Sequence, residues 1–210
     1  LPIELVPHRL DLFHSPDFIP PAGGAGRRVI TVHDLTFLHY PEFLTAESRR
    51  YYNGQIAWAV KTADRISADS DATRMDLINL LGVPPEKVAT IHLAANPLFA
   101  AHYAAEDVAA TLAAYGLSPG FIMAVGTLEP RKNIPMLLRA YQRLRREHEL
   151  DVPLVLVGSK GWIYEDIFQV INRLGLEEMV RHLSGVPDVA LAHLYRAAGV
   201  LAIPSYYEGF

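Results

Sequence analysis

Four short runs of the chain are apolar almost without interruption: Val29-Ile30-Thr31-Val32, Phe121-Ile122-Met123-Ala124-Val125, Leu154-Val155-Leu156-Val157 and Val200-Leu201-Ala202-Ile203. A strand with one face in water alternates apolar and polar residues. A run that is apolar at consecutive positions is a strand covered on both faces, as in a parallel sheet. Weaker runs at Leu10 to His14, Arg65 to Ala68, Val88 to Leu93 and Val180 to Leu183 read as further strands. Between the runs the period lengthens. Ile134, Leu137, Leu138, Tyr141 and Leu144 form one stripe at helical spacing, with Arg139, Gln142, Arg143 and Arg146 off it. Met75, Leu77, Ile78, Leu80 and Leu81 form another, stopped by Gly82 and Pro84-Pro85. Strands alternating with helices in this way predict a doubly wound α/β fold.

The strand signal lapses between about Asn96 and Pro119, where the chain is Ala-rich and carries one short helix, Glu106 to Tyr115. This gap divides the sequence into an N-terminal Rossmann-like domain over 1–100, a linker over 101–119 and a second Rossmann-like domain over 120–210, each small for a complete nucleotide-binding half.

Composition narrows the classes. The chain has 210 residues, half of them hydrophobic, enough for a sizeable core. No apolar run approaches the ~18 residues of a membrane span. Cysteine is absent, which rules out a disulfide framework and thiol chemistry. The net charge is −4 with no basic block, which argues against a nucleic-acid partner. The opening LPIELVPHRLDLFH lacks a basic start followed by a long apolar stretch, so no leader is read there. The expectation is a cytoplasmic protein.

Chemistry gathers where the predicted strands end. In VGTLEPRKN, Gly126 and Thr127 follow a buried strand, and Arg131 and Lys132 precede the Ile134 helix, with Asn133 as its N-cap and Pro135 in its first turn. Two cations at a helix N-terminus suit a phosphate or diphosphate, because free N–H groups and the helix dipole add to the side chains. Solvated loop charges, partly neutralised by Glu129, are the plainer reading. In TVHDLTF, His33 and Asp34 stand at the carboxyl end of a strand, where open α/β sheets bind ligands. A histidine there can bond sugar hydroxyls or carry a proton; a structural His-Asp pair fixing the turn is the alternative. His14 ends another run and borders the same edge. Asp69-Ser70-Asp71 matches a short D-x-D pattern known from metal sites, but Ser70 or Asp71 also suits a helix cap, and no metal site is assigned. LVLVGSKGW places two glycines after a strand, a place for backbone to approach a ligand or a neighbouring loop.

With VGTLEPRKN and LYRAAGVLAIPSYYEGF in this order, and TVHDLTFLHYPEF and ADRISADSDATRMDLINLLGV before them, the sequence resembles the family-4 (group 1) retaining glycosyltransferases. The resemblance covers nearly the whole chain. It implies the GT-B architecture, two Rossmann-like domains with parallel sheets. It also implies transfer of a hexosyl group, with a lean to mannosyl, from a nucleoside-diphosphate sugar to a saccharide or lipid-linked acceptor with retention of configuration. No cofactor and no metal is expected, a Lys/Arg pair taking the metal's place. Position by position, Lys132 helped by Arg131 would bind the diphosphate, Gly126-Thr127 would line the phosphate site, and Val186 would lie beside the base. Glu208 would contact the donor sugar, Gly209 and Phe210 would begin the following loop, and His33 would lie near the transferred sugar. Glu208 and His33 are the expected catalytic residues, and none is assigned as a general base.

Two departures stand out. Thr127 occupies the place where many members carry arginine, so Arg131 is expected to supply that charge. The family continues past Gly209-Phe210 with another glycine and a second glutamate eight positions after Glu208, and it opens with strands and a glycine-rich loop not seen here. The resemblance therefore implies an internal fragment whose own turnover is doubtful. A GT-B nucleotide-sugar epimerase and a non-catalytic nucleotide-binding remnant are the alternatives; a dehydrogenase would carry a G-x-G-x-x-G after a strand, and none is present. Arg49-Arg50-Tyr51-Tyr52 with Trp58 and Lys61 suggests peripheral contact with the inner face of a membrane, against the plainer reading of a solvated helix face.

Overall fold

The computed structural model of the protein describes residues 10–210. The opening residues, on which the leader reading mainly rests, lie outside the described residues. The chain forms two compact units, Leu1–Ala94 with Tyr207–Phe210, and Ala95–Tyr206.

The first unit is built on a parallel sheet of β1 (Leu10–Ser15), β2 (Ala25–Val32), β3 (Arg65–Ala68) and β4 (Val88–Thr90), in that spatial order. Helices α1 (Thr36–His39) and α2 (Ala46–Thr62) connect β2 to β3, and α3 (Asp71–Leu81) connects β3 to β4. Ile30, Val32, Ile66 and Ala68 of the sheet pack with Ile56 and Ala59 of α2 and Leu77 of α3. Rings of Phe18, Phe37 and Tyr52 join the margin of this core at 5.7–6.1 Å centroid distances. The N-cap of α3 is Ser70, whose Oγ accepts from Thr73 N at 3.1 Å. Gly82 closes the helix, as the sequence predicts.

The second unit has a parallel sheet of β5 (Ile122–Val125), β6 (Leu154–Val157), β7 (Val180–Leu183) and β8 (Val200–Leu201), ordered β7-β6-β5-β8. Its helices are α4 (Pro97–Ala100), α5 (Ala105–Ala114), α6 (Ile134–His148), α7 (Glu165–Leu174) and α8 (Asp188–Ala197). Strand β6 shows why its run is continuously apolar. Leu154 and Leu156 pack on one face with Leu138 and Tyr141 of α6 and Ile167 and Ile171 of α7. Val155 and Val157 pack on the other with Leu112 of α5 and Leu194 of α8. All four side chains are buried because the period-2 alternation points them into two cores.

Two expectations change. The 101–119 segment is not a linker: Leu112 and Leu117 are buried with Phe121 and Met123, so α5 is one layer of the second unit. The Val200 to Ile203 run is a strand but is not covered on both faces. β8 is an edge of two residues, and Val200 and Ile203 are 56% and 70% exposed.

Candidate active site

In the second unit the register of β5 and β6 decides the local geometry. Val125 pairs with Val157, so the next residues, Gly126 and Gly158, face each other as the strands end. A Cβ on Gly158 would lie 2.0 Å from the Gly126 carbonyl oxygen, and Gly158 has φ +152. Only glycine allows the two backbones to touch. Beyond them the loops stay joined: Leu128 N donates to Ser159 O at 2.8 Å and Gly161 N to Leu128 O at 3.0 Å. The glycines of LVLVGSKGW thus serve approach to a neighbouring loop, and the neighbour is Gly126-Thr127.

That loop continues as a short 3-10 turn, Pro130–Lys132, and delivers two cations to the start of α6. Lys132 turns back over the strand end. A methyl group on Gly126 would lie 3.4 Å from Lys132 Cε and 3.8 Å from Nζ. Arg131 Nε is bonded to the carboxylate of Glu129, which is buried. Asn133 is not the expected side-chain cap. It adopts the left-handed conformation, φ 52, and its Nδ2 donates to Pro204 O at 3.1 Å. Tyr206 N donates to Arg131 O at 3.0 Å, so residues 204–206 hold the cation loop from outside. Val186, beyond β7, packs against the cluster containing Val125, Val157 and Leu183.

The first unit repeats the logic with different chemistry. Val32 pairs with Ala68 across β2 and β3, so His33 and Asp69 follow as neighbours. His33 Nδ1 lies 2.6 Å from Asp69 Oδ2, and Nε2 lies 2.9 Å from the Pro16 carbonyl. Asp69 is buried, while just over half of the His33 side chain is exposed. The Asp69 hydrogen bond, helped by the charges of Asp69 and Asp17, raises the His33 pKa above the ordinary imidazole value against the opposing effect of partial burial. Asp34 is not the partner of His33; its Oδ1 accepts from Thr36 N at 2.9 Å. Asp71 accepts from Thr90 Oγ1 at 2.6 Å, so the two carboxylates of the D-x-D pattern serve separate partners. His14 Nε2 meets Thr31 Oγ1 at 2.9 Å. Gly209 packs directly on His33 and Asp34: a Cβ there would lie 2.6 Å from the His33 carbonyl oxygen. Its own carbonyl accepts from Ser70 Oγ and, at 3.2 Å, from Thr73 Oγ1.

Comparison with known proteins gives the family. Residues 116–210 match the family "Glycosyl transferases group 1" and residues 2–97 match "Glycosyltransferase Family 4". The O-antigen chain mannosyltransferase B of Escherichia coli is 35% identical over 200 residues, which is 95% of this chain and 52% of that protein. The chain belongs to the group 1 glycosyltransferases. A D-inositol 3-phosphate glycosyltransferase of Kribbella flavida is 33% identical over 161 residues, 72% of this chain and 37% of that enzyme. Among solved structures, WaaG, a glycosyltransferase involved in lipopolysaccharide biosynthesis, aligns with a TM-score of 0.77 at 18% identity, over 99% of this chain and 56% of that one. Sucrose-phosphate synthase of Thermosynechococcus elongatus aligns at 0.73 and 20% identity, over 95% and 51%. Both share the GT-B fold with this chain. The chain spans about half the length of mannosyltransferase B and of sucrose-phosphate synthase, and less of the D-inositol 3-phosphate glycosyltransferase.

Within this chain, Gly126, Thr127, Arg131 and Lys132 form one group and Val186 lies on the same sheet's carboxyl side. Gly209 and Phe210, expected with the second domain, instead fall with the first unit, where Phe210 meets the His92 ring edge-on at 6.0 Å. Glu208, half-buried between Tyr207 and Gly209, goes with them. Glycine at 209 explains the placement, since any side chain would collide with the His33 backbone. The sequence reading missed Asp69 as the partner of His33, for which strand register was the signal. It had Glu129 partly neutralising the two cations, and the structure pairs that carboxylate with Arg131. No helix among the described residues is long and apolar enough to cross a membrane.

Proposed function

We propose that the protein transfers a hexosyl group, of the mannosyl class, from a nucleoside-diphosphate sugar to a hydroxyl of a saccharide or lipid-linked acceptor, with retention of configuration and without a metal. The observation that carries this reading is Lys132 folded over Gly126 at the carboxyl end of β5 and at the N-terminus of α6. As the bond between the anomeric carbon and the diphosphate breaks, the electron pair moves to phosphate oxygen. A fixed ammonium and helix N–H groups meet that charge without reorganising. The acceptor oxygen attacks from the face the diphosphate leaves, and its proton passes to the departing phosphate. Arg131, tied to Glu129, adds positive charge beside Lys132 and stands in for the arginine absent at Thr127. Val186 borders the base. Glu208 and His33 contact the transferred sugar, and Gly209-Phe210 continue the sugar loop. The 35% identity to a mannosyltransferase supports the choice of sugar class.

The test is a transfer assay with GDP-mannose, UDP-glucose and other nucleotide sugars, using an active enzyme that carries this sequence. The expected product is an α-mannoside by NMR, formed equally well with EDTA. Lys132→Ala should lower kcat/KM about a hundredfold, the loss of one preorganised donor worth ~3 kcal/mol. Normal turnover by Lys132→Ala, or inhibition by EDTA, sinks the metal-free reading. Epimerised donor formed without acceptor replaces transfer with epimerisation.

A further inference from the structure

His33 is held at both ring nitrogens, and both partners limit where protons can be. The Pro16 carbonyl can only accept, so Nε2, 2.9 Å away, carries a hydrogen. The partner of Nδ1, at 2.6 Å, is a carboxylate on a side chain that is only 5% exposed. An ionised carboxylate removed from water needs a charge-assisted partner. His92 Nδ1 lies 3.2 Å from the Asp69 backbone oxygen, so that ring meets the Asp69 main chain and not its carboxylate.

We propose that Asp69 is a positioning residue: it holds His33 as an imidazolium with both N–H groups committed, so that His33 presents a fixed positive charge and does not act as a base. The proposal rests on the reading above that His33 lies beside the transferred sugar. A ring with neither nitrogen lone pair available cannot take the acceptor proton, which fits a reaction in which the departing phosphate takes it. What the exposed ring edge offers instead is a fixed positive charge. Asp69, the Pro16 carbonyl and Asp17, which follows β1, favour that charge together. The other carboxylates near in the chain are Asp34, next to His33, and Glu208, in the segment whose Gly209 packs on the His33 carbonyl. His92, after β4, touches Asp69 only at its backbone oxygen.

A histidine whose folded pKa is raised keeps its charge through the ordinary imidazole range and loses it as pH rises through the folded value. Removing Asp69 should bring that loss to lower pH.

The experiment is a long-range 1H–15N spectrum of the histidine rings of the 210-residue chain, with the His33 signals assigned through His33→Gln. At pH 7 both His33 nitrogens should show protonated shifts, and the ring should deprotonate only above the ordinary imidazole range. Asp69→Asn should lower that midpoint. In an active enzyme carrying this sequence, it should move the alkaline limb of kcat/KM downward by a similar interval, with kcat affected more than KM. A neutral tautomer at pH 7, including one in which the shared proton sits on Asp69, overturns the proposal. So does an Asp69→Asn variant with an unmoved midpoint or an unmoved alkaline limb. If Asp69→Asn does not fold, the wild-type spectrum decides alone. No donor or turnover enters the spectrum, so its outcome is separate from that of the Lys132 assay on which the transferase reading depends.

Discussion

Gly158 and Gly54 occupy opposite situations, and the contrast isolates what the cation loop requires. At Gly158 an added Cβ meets the Gly126 carbonyl oxygen at 2.0 Å and the Thr127 nitrogen at 3.3 Å, with φ at +152. No flexible side chain is there to move; the obstacle is backbone. Gly158→Ala should therefore cost about 3 kcal/mol and push the Gly126-Thr127 turn off the strand end. Gly54 lies within α2 with nothing within 4 Å of an added Cβ. Gly54→Ala should raise stability by up to ~1 kcal/mol, since glycine gives up the most chain entropy in a helix. Urea unfolding of both variants checks the pair; equal effects would mean that the contact between the two loops carries no strain. At this scale the sequence showed which residues carry chemistry but not their partners. His33 and Asp69 are 36 residues apart. They meet because two parallel strands end in register, a fact of pairing that no local pattern encodes. The left-handed conformation of Asn133 was hidden for a similar reason, because the bond that rewards it goes to Pro204, far along the chain.

Helix α3 shows how an element can be legible while its working residues are not. Its stripe and its stop were plain from Leu77, Ile78, Leu81 and Gly82, and the cap was narrowed to Ser70 or Asp71. The structure selects Ser70, because Ser70 is extended and its Oγ reaches Thr73 N, whereas Asp71 is already in the first turn and bonds Thr90. Ser70→Ala should cost about 1 kcal/mol through the lost cap. The same change also removes the hydroxyl that donates to the Gly209 carbonyl, so the loss should exceed that of Asp71→Ala, whose bond to Thr90 is exposed. Thermal or urea midpoints of the two variants give the comparison, and a larger loss for Asp71→Ala would contradict the assignment of the cap. The strands were legible for the reason seen in β6, where consecutive residues enter different cores. β8 misled because its residues are equally apolar although its faces are open. Composition reports what a residue prefers; coverage depends on what lies beside it.

The two units have separate cores, and that separation sets what a mutation can reach. Leu77 is fully buried among Ile30, Ile66 and Val88, and Leu138 is fully buried among Leu154, Leu156 and Ile171. Among the described residues no buried residue belongs to both clusters, although each sheet is parallel throughout. The domain boundary was misjudged by the sequence reading because α5 is Ala-rich and weakly amphipathic, which looks like a linker until Leu112 and Leu117 are seen to fill the space under Phe121. Truncating either leucine to alanine leaves a cavity and should cost about 2–5 kcal/mol. Cooperative units open independently when few buried contacts join them. Leu77→Ala should therefore speed amide exchange in β2, β3 and α3 while leaving β5 and β6 near wild type, and Leu138→Ala should do the reverse. Hydrogen exchange followed by mass spectrometry over both sheets resolves the two patterns. Equal acceleration in both units by either variant would mean that the chain unfolds as one cooperative body, and that the Gly126-Thr127 loop on the second sheet and His33 on the first share one stability.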